Sequence, residues 1–415
     1  MSLSQKHLQN YVPALTGVRA LAAYLVFVSH YYYVFDENFP QTVKRFLGEF
    51  HIGVTIFFVL SGFLITYRYY NNFHLTKDWF RQYLKNRVAR IYPMYALLTI
   101  AAFAYYYFTG DQAITKGYNA VVMFLMNITF VRGFFYNFWD TGIAQGWSLT
   151  VEECFYFSAP FAFYIAIKYK KFWLQPLAIT AFGVLLVLIF SHINWYGFFG
   201  NFTFVMLFTF LGRCFEFFVG MQLALYVLNK GFVRTNKMNY TYLGFVLMFV
   251  CVFIMALQPV PQGWAAGLQS PIGIIANNYL LPPCIALFFY GLLTERTIMK
   301  KILANPFVEL LGKSSYIFYL IHLGWMYILL HGWFDQGNEY AFELYDKWGK
   351  DWRSPFEFDP LNLLYAFIVL NLVSIILYKF IEEPLNHYIR KSDFLIKYKN
   401  KAIQINDLSV NKEER

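Results

Sequence analysis

Apolar runs long enough to cross a bilayer recur from one end of this 415-residue chain to the other. A hydrocarbon core of about 30 Å takes about 20 apolar residues of helix. Candidate spans fall at 14–35, 50–69, 91–108, 149–167, 173–192, 203–228, 240–258, 277–294, 314–332 and 361–381. They predict an all-α polytopic membrane protein of about ten transmembrane helices. Composition agrees, with 58% hydrophobic and only 14% charged residues, where a soluble domain carries about a quarter charged. An aromatic content of 22% suits interfacial belts of Tyr and Trp and Phe-rich lipid-facing surfaces. Residues 1–13 are polar and short, and the first apolar run lacks a small-residue cleavage site. That run is expected to stay as a helix and not to be removed as a signal.

An eleventh apolar stretch, 118–135, decides the topology. Counting it as a span puts Lys168, Lys170 and Lys171 opposite Arg81, Lys85, Arg87 and Arg90. Treating it as re-entrant or interfacial brings the basic clusters at 77–90, 168–171, 230–237, 296–301 and 390–401 to one side, together with both termini. The positive-inside bias makes that side the cytoplasm, in keeping with an inner-membrane protein. Residues 1–395 then form one membrane domain, and 396–415 a short polar cytoplasmic tail. The net charge of +10 belongs to loops facing anionic lipid, not to nucleic-acid binding. Cys154, Cys214, Cys251 and Cys284 lie in apolar runs without paired spacing and read as small hydrophobes, with no metal site implied.

The outer segments are aromatic and polar: Tyr136, Asn137, Trp139, Asp140 and Gln145 in one, and Asp346, Trp348, Asp351, Trp352 and Arg353 in another. Ring faces beside carboxylates and amides suit a carbohydrate or glycolipid partner, and an interfacial belt is the plainer account.

Against this apolar background the buried ionisable residues stand out, because each is expensive inside a bilayer. Arg19 and His30 lie eleven residues apart, close to three helical turns, so they share a face with about 16 Å of rise between them. His30 has the proton affinity of a general base, and Arg19 sits where it can meet an anion or snorkel to lipid phosphate. Arg87 and Arg90, three apart, share a face and can grip phosphate as paired forks, or serve topology alone. Pro93 marks the start of the third span or a kink in it. In WSLTVEECFY (147–156), Glu152 can support His30 or take a hydroxyl itself, with a cap or ion pair as the structural account. Arg213 and Glu216 are i,i+3 neighbours and read as an ion pair. Ser61 and His322 are possible supporting groups, helix packing being their default role. Glu382, Glu383 and Pro384 end the last span.

Seven stretches occur in order: LTGVRALAAYLVFVSH, GVTIFFVLSGFLIT, RQYLKNRVARIYPMY, WSLTVEECFY, LGRCFEFFVGMQLA, SSYIFYLIH and IEEPL. Together, from residue 14 to 386, they resemble the transmembrane acyltransferase family 3. The resemblance implies that Arg19 and His30 are the paired functional positions of the first span. It also implies functional roles for Arg87, Arg90 and Glu152. It further implies transfer of an acyl group, usually acetyl, from a cytoplasmic acyl-coenzyme A to a hydroxyl of a sugar or glycolipid at the outer face. Some relatives carry an added C-terminal esterase-like domain, and family acceptors are diverse.

The charge map then predicts a mechanism. Arg87, Arg90 and Arg19 receive the donor's phosphates, the pantetheine arm enters along span 1, and His30, assisted by Glu152, deprotonates the acceptor. Direct transfer and an acyl-enzyme on His30 both stay open. The rival class is a transporter or flippase of a lipid-linked saccharide, which also buries ionisable groups near the membrane centre. No inverted repeat supports it. The membrane-bound O-acyltransferases also use an intramembrane histidine but lack this ordered set of stretches.

Overall fold

The computed structural model describes residues 12–32, 39–193, 195–231, 239–348 and 359–392. Its regular elements are helices, and among the described residues the only β contact is an isolated antiparallel bridge between Phe135 and Phe198. The chain runs through α1 (Pro13–Tyr31), α2 (Gln41–Gly48), α3 (Ile52–Tyr69) and the 33-residue α4 (Lys77–Thr109). A short α5 (Ala120–Ile128) leads to α6 (Trp147–Tyr169), α7 (Leu174–Phe190), α8 (Phe202–Phe208) and α9 (Phe210–Lys230). Next come α10 (Tyr240–Ala256) and α11 (Pro271–Ile275), which passes through a π turn into α12 (Leu281–Thr294). The chain ends on α13 (Ile298–Leu303), α14 (Pro306–Ile321), α15 (Trp325–Trp348), α16 (Asp359–Leu377) and α17 (Glu383–Lys391).

Among the described residues six helical segments are long and apolar enough to cross a membrane: Pro13–Tyr31, Gln41–Asn72, Lys77–Thr109, Phe202–Lys230, Pro271–Thr294 and Leu361–Lys391. A seventh arises if Pro306–Ile321 and Trp325–Leu344, bent by 83°, are counted as one broken span. The protein is therefore an all-helical, multi-pass membrane protein, and the expected count of about ten spans is not confirmed. Each of α7 and α10 has 17 residues, about 25 Å of helix against a core of about 30 Å. Helix α6 is longer but carries Ser148, Thr150, Glu152 and Glu153 in its first two turns.

Two local departures matter for the site. Pro93 neither starts nor breaks a helix: α4 runs through it, so Arg87 and Arg90 ride on an extension of the apolar half. Thr76 caps the start of α4 by accepting from the Trp79 amide, and Gly110, at φ 70°, ends it. The candidate span at 314–332 is broken at its centre, and His322 sits at the corner between α14 and α15. Residues 118–135 form no single helix. The nine residues of α5 rise only about 14 Å, and Phe130, at φ 61°, turns the chain into a 3₁₀ turn at Val131–Phe134.

The inner packing consists of α1, α3, α9 and α14. Helices α3 and α9 cross at backbone contact: a methyl at Gly62 would overlap the Phe217 carbonyl, and one at Gly220 the Val59 carbonyl. Small residues at such crossings let helices approach where lipid offers no hydrophobic advantage to association. Phe58 stacks on Phe217 at 4.7 Å and Phe217 on Phe155 at 4.3 Å, carrying the packing from α3 through α9 to α6. The four cysteines are free.

Candidate functional site

Helix repeats assemble the first of two chambers. Ser61 and Arg68 are seven residues apart on α3, Arg87 and Arg90 three apart on α4, and Glu152 and Tyr156 four apart on α6. Each pair shares a helix face. With Arg19 of α1 they line a chamber of about 90 Å³. Glu152 Oε1 accepts from the Ser61 hydroxyl and, at 2.7 Å, from the Tyr156 hydroxyl. Arg87 is wedged between the rings of Tyr69 and Tyr156, 5.4 and 5.6 Å from their centroids, and donates to the Tyr69 hydroxyl at 3.2 Å.

Arg390 of α17 lies close enough to Arg68, Arg87 and Arg90 to feel their charge. Buried Nε atoms of both Arg87 and Arg390 find no hydrogen-bond partner. An unpartnered buried donor is costly, and a concentration of guanidinium groups, with Glu152 the only carboxylate among the described residues lining the chamber, favours an anion. A mouth of about 240 Å³ continues from Arg19 and Arg90 past Lys313, Glu382, His387 and Arg390.

The second chamber, about 340 Å³, is assembled from a corner, a loop and helix ends. His30 lines it with His51, Asp140, Gln145, Arg213 and Tyr319. The His322 ring stacks on His30 at 5.4 Å and 16°. Tyr31 fixes the corner by donating to the His322 carbonyl at 2.5 Å. His322 Nδ1 lies 2.8 Å from the Tyr319 carbonyl. A carbonyl only accepts, so Nδ1 carries the hydrogen and Nε2 keeps its lone pair. That Nε2 is buried without a partner. Arg213 forms the expected ion pair, Nε to Glu216 Oε1 at 2.6 Å, and also donates to Thr55 Oγ1 at 3.0 Å and the Leu207 carbonyl at 3.1 Å.

Val54 and Tyr319 line both chambers and form the wall between them. The structure thus brings Arg19, Ser61, Arg87, Arg90 and Glu152 together and places His30, Arg213 and His322 beyond that wall. The expected support of His30 by Glu152 is not present. Ser61 and Tyr156 occupy Glu152, and the ring beside His30 is that of His322. The reason lies in α6, whose register turns Glu152 toward the arginines.

Sequence reasoning missed Arg68, Tyr156, Tyr319, His51 and Arg390. The first three carried a readable signal, at i+7 from Ser61, i+4 from Glu152 and i−3 from His322. Among the described residues no group of three or more His, Cys, Asp or Glu is arranged to hold a metal ion. Asp351, Trp352 and Arg353, and the tail after 395, lie outside the described residues.

Comparison with known proteins decides the class of chemistry. The family described as an acyltransferase domain matches residues 12–379. The chain belongs to this acyltransferase family. It is similar to a peptidoglycan O-acetyltransferase of Listeria monocytogenes, 27% identical over 183 residues, which covers 41% of this chain and 27% of that one. It is also similar to a putative O-acetyltransferase of Staphylococcus aureus, 23% identical over 354 residues, covering 79% of this chain and 52% of that one. An uncharacterised protein of Haemophilus influenzae is 27% identical over 255 residues, 55% of this chain and 93% of the relative. The chain thus spans about half or less of the length of these two named relatives. No solved structure matches it. As a member of this family the protein is an acyltransferase of the membrane, and the transporter alternative falls away.

Proposed function

We propose that this acyltransferase moves an acyl group, acetyl by preference, from a cytoplasmic acyl-coenzyme A to a hydroxyl of a carbohydrate or glycolipid on the far side of an inner membrane. One observation carries the reading: a chamber lined by Arg19, Arg68, Arg87 and Arg90 backs directly onto a chamber containing a histidine. Arg19, Arg68, Arg87, Arg90 and Arg390 suit the phosphates of a coenzyme. The basic stretch 77–90 at the start of α4 supports a cytoplasmic position for them, and both termini are assigned there. The carbohydrate acceptor is supported by the likeness to the Listeria peptidoglycan O-acetyltransferase.

The two chambers divide the reaction. Arginines hold the donor while its thioester reaches the wall at Tyr319 and Val54. His30 takes the proton of the acceptor hydroxyl, whose oxygen attacks the thioester carbonyl. The C–S bond breaks, the ester forms, and the imidazolium returns the proton to the leaving thiolate. Stacked on His30, the His322 ring holds its orientation from the corner of the broken span. Glu152, bound by Ser61 and Tyr156, sets the charge balance of the arginine chamber.

Purified protein with labelled acetyl-coenzyme A tests this. His30→Ala should abolish transfer with donor binding retained, and Arg87→Ala should weaken donor binding more than acceptor binding. Normal transfer by the His30 variant removes that residue from the mechanism. A protein that neither binds nor turns over the donor overturns the reading as a whole.

A further inference from the structure

The loop after α5 has no part in the reaction as described, yet it is among the most firmly built parts of the protein. Arg132, fully buried, donates through its two terminal nitrogens to the carbonyls of Thr141 and Ile143. Asn127 Nδ2 donates to Thr141 Oγ1 at 3.1 Å, and the Gly142 amide to the Ile114 carbonyl at 2.8 Å. The Tyr136 and Asn137 amides donate to the carbonyls of Gly197 and Tyr196, both at 3.3 Å. A guanidinium buried to brace a loop is an expensive device, and it fixes what that loop displays.

What it displays is one wall of a third cavity. This vestibule of about 780 Å³ is lined by Tyr136, Asn137, Trp139 and Asp140 from the loop and by Trp264 and Gln269 opposite. Trp139 packs on Phe208 at 4.3 Å, Phe208 lies parallel to Trp264 at 6.0 Å and 12°, and Trp264 meets Tyr136 at 6.1 Å. Polar groups are set among these rings: the Asn137 and Gln269 amides, and Asp140, paired with Lys116 at 2.5 Å. Trp139, Asp140, Phe208 and Gln269 also line the His30 chamber, so the vestibule adjoins it. Its volume falls within the range of about 300–1,000 Å³ typical of small-molecule sites.

We propose that this vestibule is the acceptor site, holding a pyranose ring of a carbohydrate against Trp139 and Trp264 with its hydroxyls on Asp140, Asn137 and Gln269. The assignment rests on the proposed acyl transfer to a carbohydrate and names the residues that select the acceptor. An aliphatic ligand would make no use of the polar groups set among the rings, the Asn137 and Gln269 amides and the Asp140–Lys116 pair. A purely ionic ligand would have no use for five aromatic side chains, those of Tyr118, Tyr136, Trp139, Phe208 and Trp264. A sugar presents both an apolar C–H face and a ring of hydroxyls, and only that combination satisfies both sets of groups.

The test uses the purified full chain in lipid nanodiscs, tritiated acetyl-coenzyme A as donor, and chitotetraose, cellotetraose and mannotetraose as acceptors. At least one oligosaccharide should be acetylated. Trp264→Ala should raise the KM for that acceptor by about tenfold, the loss expected for one good ring contact, and leave the donor KM within about twofold. Trp264→Phe should recover most of the loss, and Asp140→Asn should raise the acceptor KM while keeping the shape of the site. An unchanged acceptor KM in both Trp264→Ala and Asp140→Asn overturns the assignment, as does a rise confined to the donor KM. Turnover of the donor with none of the three oligosaccharides acetylated also overturns it. No turnover of the donor at all instead removes the acyl-transfer reading beneath it.

Discussion

The arginine and histidine chambers share a wall and little else. The first is narrow and built from helix repeats: pairs at i,i+3, i,i+4 and i,i+7 on three long helices point their side chains into one small space. The second is nearly four times larger and is made where helices fail, at the α14–α15 corner, at the pinned loop 129–146 and at the start of α3. The difference suits the two substrates. In the proposed reaction the donor's charged handle would be met by residues on rigid helices, and the acceptor by segments whose length and side chains can change without disturbing the helices. Irregular backbone at membrane depth is tolerated only where protein or a cavity satisfies its polar groups. The Tyr31, Tyr319 and Arg132 contacts supply that satisfaction here.

The comparison breaks most visibly at Arg213, the one fully paired cation in the histidine chamber. Arg213→Ala leaves Glu216 buried without a partner, and removing one member of a buried pair costs about 3–5 kcal/mol. Thermal unfolding in detergent should show a large loss of stability. If the variant unfolds like the parent but has lost activity, Arg213 acts on a substrate and the histidine chamber is as much an ion site as its neighbour. Next in size is Arg68→Ala. Losing one charge-assisted contact to phosphate costs about 1.5–3 kcal/mol, or roughly ten- to hundredfold in donor affinity. Isothermal titration with a non-hydrolysable acyl-coenzyme A analogue reads this directly. Unchanged affinity leaves the donor to Arg19, Arg87, Arg90 and Arg390 and makes Arg68 part of the frame.

How much of this was legible in the sequence follows the same division. The all-helical membrane architecture follows from apolar runs, and so does the interruption at 118–135, where α5 is too short to cross. The arginine chamber was legible because its residues repeat along helices. Arg68 was overlooked although it stands two helical turns from Ser61. Arg390 was not legible, since it arrives from the far end of the chain through the packing of α17 against α4. The supposed partnership of Glu152 with His30 failed for a related reason. The sequence places both residues on apolar stretches, but that does not specify azimuth, and α6 packs through Phe155 on Phe217. The span count is not confirmed, because segments of 17 residues sit at the margin where tilt and bilayer thickness decide.

The smallest effect sharpens the comparison most, because it concerns the wall itself. Tyr319 belongs to both chambers, and its hydroxyl lies 2.9 Å from the Ser148 hydroxyl, which itself donates to the Gln145 carbonyl at 2.9 Å. Tyr319→Phe removes the hydroxyl's contacts with Ser148 and, at 3.4 Å, with the Gln145 carbonyl, keeps the ring, and leaves Ser148 with its other partner. The net loss is therefore about 1 kcal/mol, or roughly fivefold in rate if it falls wholly on the transition state. Its direction carries the information. If Tyr319 only separates the chambers, the Phe variant keeps both KM values and its ratio of donor hydrolysis to acyl transfer. If the hydroxyl helps position the thioester at the boundary, kcat falls while both KM values hold. A rise in hydrolysis relative to transfer shows instead that the hydroxyl keeps water of one chamber from the thioester in the other, and places the reacting carbonyl at this wall.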